Sequence, residues 1–231
     1  MSSILNLIKG TKLKPTLFHR YYYIWKLIMG ELISFRDNYL TNKKGIKIVD
    51  FGCSDMPYKS FFKDYNYIGI DIEGNDLADG VVDFDSNSSL DNEVCEVILS
   101  TQVLEHVRKP DNYLKECHRM LKKDGLLVLS THGHWIYHGV PTDFWRWTSD
   151  GLKEVIKEQG FEIIEFNGLI GAGAIGIQIL QDKLYQRLKI LPRVPIFTPL
   201  FQGIIIMLDK LHSKEGRNKD AGIFFVVAKK K

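Results

Sequence analysis

The sequence predicts an α/β fold in which a mostly parallel sheet carries helices on both faces. Three observations support this. Short apolar runs alternate with helical patterns from residue 46 to about 166. Most of those runs are apolar at successive positions, as strands buried on both faces require. The stretches between them carry turn chemistry, such as Asn42-Lys43-Lys44-Gly45 and Asp124-Gly125.

The elements follow in order. Residues 17–39 place Leu17, Phe18, Tyr21, Tyr22, Ile24, Trp25, Leu27, Ile28, Leu32 and Phe35 at helical spacing, so an aromatic, amphipathic helix precedes the sheet. Residues 46–51 form the first strand and run into Gly52. A helix is expected from about Pro57, a good first-turn residue. Residues 67–72 are the second strand, 80–84 a weak third and 94–101 the fourth. Pro110 opens a helix with Tyr113, Leu114, Cys117 and Leu121 on one face, closed by Asp124-Gly125. Residues 126–131 are the fifth strand. Thr148 caps a helix bearing Leu152, Val155 and Ile156, with Gly160 at its end. Residues 161–166 and 222–229 are the sixth and seventh strands. Between them, 168–218 breaks the rhythm with proline-broken helical texture.

Bulk properties exclude several classes. The 231 residues are 45% hydrophobic and 26% charged, enough for one sizeable core. A net charge of +3 is too mild to imply nucleic acid. Cys53, Cys95 and Cys117 lack zinc-like spacing, so no metal is expected, and they read as reduced thiols of a cytoplasmic protein. The first twenty residues do not read as a secretory leader, and no uncharged run is long enough to span a bilayer.

The chemistry starts at IVDFGCSDMP, residues 48–57, where a strand enters a tight turn of small residues. Ligands of doubly wound sheets sit at such carboxyl ends, and small residues let backbone N–H groups approach them. Asp71 ends the second strand at the distance expected of a carboxylate that hydrogen-bonds ribose hydroxyls. The plain alternatives are an ordinary turn at Gly52 and a helix cap at Asp71. A dinucleotide fingerprint is absent, because Ser54 and Pro57 stand where the second and third glycines would be.

This turn resembles the first motif of class I S-adenosylmethionine-dependent methyltransferases. VILSTQVLEHV (97–107) and KECHRMLKKDGLL (115–127) are similar to the "EH" segment and the following helix of the type 11 methyltransferase domain. The resemblance covers about residues 46–166. It implies a Rossmann-like seven-stranded sheet with an antiparallel last strand; the residue patterns outside it read as a helical cap at 1–45 and, within a domain at 46–231, a helical insertion at about 168–218. It also implies S-adenosyl-L-methionine as cofactor. Asp50, Gly52, Cys53 and Ser54 would line its methionine portion, Asp71 its ribose, Asp83 and Phe84 its adenine, and Gln102 would reach it from the fourth strand. Ser54, in place of the family's glycine, adds a Cβ and a hydroxyl there.

The second constellation is THGHWIYHGVPTDFWRWT, residues 131–148. It holds three of the seven histidines and three of the four tryptophans, and exposed tryptophan needs a reason. One reading packs Trp135, Trp145 and Trp147 beneath the loop. The other makes it an acceptor site, with aromatic faces stacking on a sugar or ring and His138, Asp143 and Arg146 supplying polar contacts. The pattern also resembles a branch of the type 11 family associated with bacterial surface polysaccharides, which implies O-methylation of a small-molecule or glycan hydroxyl. Such an acceptor must lose a proton, and neutral imidazole is the base suited to neutral pH. His138 is the first choice, ahead of His134 and His106; a hydrogen-bonded structural histidine is the alternative for each. A nicotinamide oxidoreductase and a nucleic-acid methyltransferase lack their motifs here, and a non-catalytic cofactor- or partner-binding module stands as the rival.

In 168–218, Ile175, Ile179, Leu180, Leu184 and Leu188 are expected to form an apolar face, with Lys183, Arg187, Lys189 and Arg193 near or opposite it. The segment reads as a cap packed on the domain, or as a peripheral contact with the inner face of the membrane. Oligomeric state is not legible.

Overall fold

The computed structural model describes residues 10–187 and 197–231. Seven strands form one sheet: β1 (Lys47–Phe51), β2 (Asn66–Ile72), β3 (Gly80–Val82), β4 (Cys95–Thr101), β5 (Leu121–His132), β6 (Phe161–Gly171) and β7 (Ala221–Lys230). Their order is β3-β2-β1-β4-β5-β7-β6. The first five in that order pair in parallel, whereas β7 runs antiparallel to both β5 and β6. The chain winds outward from β1 to β3 and then returns to β4. That reversal opens a crevice at the carboxyl ends of β1 and β4, where open α/β sheets take their ligands.

Alternation along each strand splits the core between the two faces. Ile48, Val97, Leu99 and Val128 face one cluster, shared with Ile28, Leu32 and Phe35 of α1 (Tyr22–Phe35). Val49, Ile98, Leu127 and Leu129 face the other. That second cluster holds Tyr113, Leu114 and Cys117 of α2 (Pro110–Met120) and Leu152 and Ile156 of α3 (Ser149–Glu158). Pro110 begins α2, and the Thr148 hydroxyl caps α3 by accepting from the Gly151 N–H at 3.2 Å.

The structure corrects four expectations. No helix forms after Pro57. Residues 54–65 are successive turns, because Ser54 and Met56 both adopt φ +48° and a residue before proline disfavours the helical region. The helix at 17–39 is shorter: its α-turns begin at Tyr22, and Arg36–Leu40 widens into a π-turn. The α2 helix stops at Met120, and β5 takes over at once, with Asp124 at φ +62° within it. In the insertion, α4 (Ala172–Arg187), α5 (Thr198–Asp209) and α6 (Lys214–Lys219) precede β7. Of the expected apolar face of α4, only Ile175 is buried, whereas Leu180 is exposed. Gln178, Gln181 and Asp182 turn inward because polar partners meet them there. Leu188, Lys189 and Arg193 lie outside the described residues. Among the described residues no helix is long and apolar enough to cross a membrane.

Candidate active site

The turn after β1 is one hydrogen-bonded unit. Gly52 has φ +83°, and a Cβ there would lie 2.7 Å from Val103 Cγ2, so glycine is required twice over. The Gly52 and Cys53 N–H groups both donate to the Ile70 carbonyl, at 2.8 and 3.1 Å. Asp71 accepts from the Ser54 N–H and from Asn75 Nδ2, both at 2.8 Å, and from its neighbour Ile72 N–H. Asn75 also donates to the Ser54 carbonyl, so the β2 end fastens the turn from both sides. The Ser54 side chain is exposed. Cys53 is buried, and burial pushes its thiol up to about 12, which makes it a poor nucleophile.

Beneath the turn, Asp50 is buried, and Tyr67 donates its phenolic O–H to Oδ2. Oδ1 is buried with no hydrogen-bond partner. Burial pushes the Asp50 carboxyl up to about 7, against the pull of the Tyr67 hydrogen bond. Asp83 stands apart and exposed, and it caps its own loop. Its oxygens accept from the Asp85 and Asn87 N–H groups and from Asn87 Nδ2, which holds the carboxyl below its usual range. Its neighbour Phe84 is 84% exposed. Gln102, at φ +58°, is tied to β5: its N–H donates to the Ser130 carbonyl and its amide to Ser130 Oγ.

The second constellation folds over the ends of β4 and β5. The Phe144 and Trp145 N–H groups donate to the Glu105 carbonyl, Trp145 Nε1 donates to the Val107 carbonyl, and the His106 ring contacts the Thr142 carbonyl. Arg146 is the clamp. Nε donates to the Trp135 carbonyl, one terminal nitrogen to Asp143 Oδ1 and the Trp145 carbonyl, and the other to Asp143 Oδ2 and the Ile136 carbonyl. All five guanidinium donors are thereby engaged within the loop. Asp143 Oδ2 also accepts from the His138 N–H at 2.6 Å. Burial alone would raise Asp143, but the hydrogen bonds from Arg146 and His138 outweigh it and hold it low.

Three imidazoles meet under this clamp. His138 lies 5.5 Å from His106 and 6.1 Å from His132 between ring centroids, and His132 stacks on Trp135 at 4.9 Å. His132 is buried, whereas the side chain of His138 is accessible. Burial, then the charge of His106, lowers His138 below 6.5; burial lowers His132 much further. Behind His132 sits Glu105, wholly buried, with Oε2 accepting from Thr131 Oγ1 at 2.9 Å. Its Oε1 lies 3.2 Å from His132 Nδ1 but out of line, and both atoms lack a hydrogen bond. Burial pushes Glu105 up to about 7. Glu105 and His132 were given no role from sequence, although both lie in the quoted motifs: Glu105 in the turn Leu104–His106 after β4 and His132 at the end of β5. His134 is not part of the group, because its ring turns outward to Asp220. Trp145 and Trp147 stack on each other at 5.6 Å, and Trp135 meets Tyr21 of the N-terminal segment at 6.0 Å.

A family model described as a methyltransferase domain matches residues 24–165, from within α1 into β6 and across more than half of the chain. This chain belongs to that methyltransferase family. The methyltransferase is similar to the ubiquinone biosynthesis O-methyltransferase of Cereibacter sphaeroides, at 24% identity over 162 residues. That match covers 55% of this chain and 64% of the relative, so the chain spans less than two thirds of that relative's length. A SAM dependent methyltransferase from Archaeoglobus fulgidus aligns over 99% of both chains, with a TM-score of 0.57 at 12% identity. Phosphoethanolamine N-methyltransferase 2 of Haemonchus contortus, in complex with S-adenosyl-L-methionine, aligns over 93% of this chain and 57% of that one. Its TM-score is 0.54 at 15% identity, and at such identities the likeness is one of fold.

The chain thus carries a methyltransferase domain on the fold shared by S-adenosyl-L-methionine-dependent methyltransferases, and the turn at Gly52 fits that cofactor. The orphaned, buried Asp50 Oδ1 calls for a hydrogen-bond donor. The turns at 54–65 offer no helix N-terminus, the element that a pyrophosphate would need.

Proposed function

We propose that this methyltransferase methylates a hydroxyl of a small-molecule or glycan acceptor, with His138 as the base. The observation that carries this reading is the accessible, low-pKa His138 held among His106, His132 and the loop tryptophans at the carboxyl ends of β4 and β5. When bound, S-adenosyl-L-methionine supplies an activated methyl group and its own leaving group. The residues do the rest. Asp50 Oδ1 receives the cofactor's ammonium, with Gly52, Cys53 and Ser54 lining the methionine portion. Asp71 and Gln102 hold the edge of the site toward the ribose, and Phe84, after β3, is the aromatic face for the adenine. Asp83 shapes the loop that presents Phe84.

In the acceptor half, His138 accepts the hydroxyl proton at a ring nitrogen. Its lowered pKa keeps it neutral and ready to do so at neutral pH. Asp143 and Arg146 act as positioning residues. Asp143 grips the His138 N–H, and Arg146, with no donor left over, holds Asp143 and the loop carbonyls. Buried His132, stacked on Trp135, meets the His138 ring edge-on. Exposed Tyr137, Phe144 and Trp145 offer faces on which a sugar or ring stacks. Oxygen as the methylated atom agrees with the name of the Cereibacter relative. A glycan acceptor of surface-polysaccharide synthesis is what the resemblance of residues 138–148 to a branch of the type 11 family implies.

The test is a screen of hydroxylated glycans and phenols with labelled methyl donor, after calorimetry has established S-adenosylhomocysteine binding. Label transfer that His138→Ala abolishes, with cofactor affinity unchanged, supports the reading. Transfer to nitrogen acceptors alone, or a wild-type rate for His138→Ala, overturns it.

A further inference from the structure

The α4–α5 hairpin buries polar side chains and leaves an apolar face exposed. An amphipathic helix of a globular protein turns its apolar stripe to the core. Here Gln178, Gln181 and Asp182 of α4 and Thr198, Gln202 and Asp209 of α5 are buried instead. Most of them hydrogen-bond one another or residues 20–23, whereas Asp182 Oδ1 is left without a partner. Gln181 and Gln202 each donate to the Arg20 carbonyl at 2.8 Å, and Gln202 accepts from the Tyr23 N–H at 3.0 Å. Tyr23 in turn donates its phenolic O–H to Asp209 at 2.7 Å. Ala174, Ile175, Tyr185 and Ile205 are buried beside them, whereas Leu180, Phe197, Leu200, Met207 and Leu211 are 48–77% exposed.

Charge indicates what covers this face. Across residues 172–187 and 197–211, the exposed charged side chains are Lys183, Arg187 and Lys210, all cations, whereas Asp182 and Asp209 are buried. A second copy related by a two-fold axis would set the same cations against one another. An anionic bilayer presents the complementary charge around an acyl boundary that accepts leucine and methionine. The 12 residues of α5 extend about 18 Å, too short to span and suited to lying in the interface.

We propose that the outward face of the α4–α5 hairpin docks this enzyme on an anionic lipid surface. The binding needs no assumption about the acceptor. The test is co-sedimentation of the full chain with phosphatidylcholine vesicles, with and without added phosphatidylglycerol, at low and high salt. The enzyme is expected to pellet with the anionic vesicles at low salt and to be released as salt screens the cations. Lys183→Gln and Lys210→Gln should each weaken that binding about fivefold. The pair Leu200→Ser and Met207→Ser should abolish it, with the thermal midpoint and S-adenosylhomocysteine affinity unchanged. Recovery in the supernatant under all conditions overturns the proposal. So does a concentration-dependent dimer that Leu200→Ser and Met207→Ser dissolve, which would make the face a subunit contact.

Discussion

Replacing Gly52 with alanine tests the turn on which the cofactor half rests. The substitution meets two separate obstacles. The backbone there has φ +83°, and holding an L-residue in the left-handed region costs roughly 1–2 kcal/mol. The new methyl would also lie 2.7 and 2.9 Å from the two Val103 methyls, an overpacking that typically costs about 1–3 kcal/mol. Together they predict that Gly52→Ala lowers the unfolding free energy by about 2–5 kcal/mol. The two parts separate in a double-mutant cycle. Val103→Ala removes the obstructing methyls and leaves the backbone strain, so the double variant should recover about 1–3 kcal/mol relative to additivity. Urea unfolding of the four proteins measures both quantities, and calorimetry with S-adenosylhomocysteine should show weakened binding in parallel. A Gly52→Ala protein within about 0.5 kcal/mol of the parent would refute the reasoning, as would a coupling near zero.

Four further outcomes are expected. His138→Ala should lower turnover by about 10²–10⁴-fold and leave S-adenosylhomocysteine affinity unchanged. In the parent, the base is active when neutral and its pKa lies below 6.5, so kcat/KM should fall only as pH drops through that depressed value; the variant's profile should lack this limb. Asp71→Ala frees the Ser54 N–H and the Asn75 amide, and calorimetry should show cofactor binding weakened by about 1.5–3 kcal/mol. Asp50 titrates at about 7 in the folded chain and at about 3.9 unfolded, so between those values the folded state holds a proton that the unfolded state lacks. Its contribution to unfolding free energy should therefore fall as pH rises from about 4 to about 7, and Asp50→Asn should flatten that fall in urea titrations at about pH 5 and pH 7.5. Arg146→Lys should raise the acceptor KM nearly as much as Arg146→Ala, because an ammonium cannot serve five acceptors in a plane.

The fold was legible because its signals are local. Apolar runs at 46–51, 94–101 and 222–229 become β1, β4 and β7 within a residue or two, and Thr148 and Pro110 start their helices as such residues do. The turn proposed to hold the cofactor was visible as a turn for the same reason, since its glycine, small residues and downstream carboxylate lie within about twenty-five positions on adjacent strands. What the sequence left open depends on contacts across the chain. A run of turns replaces the helix at Pro57 because Ser54 and Met56 take left-handed backbone beside Asp71 and Gly69. Arg146 looked like a ligand for the acceptor, yet the tertiary structure engages every donor it has within the loop. Glu105 and His132 meet only because β4 and β5 are neighbours in the sheet. The insertion shows the limit most clearly. Periodicity identifies two faces of a helix, but which face is buried depends on what waits there. At α4 and α5 it is the backbone of residue 20 and the hydroxyl of Tyr23, so Gln181 and Gln202 turn in and Leu180 and Leu200 are left exposed.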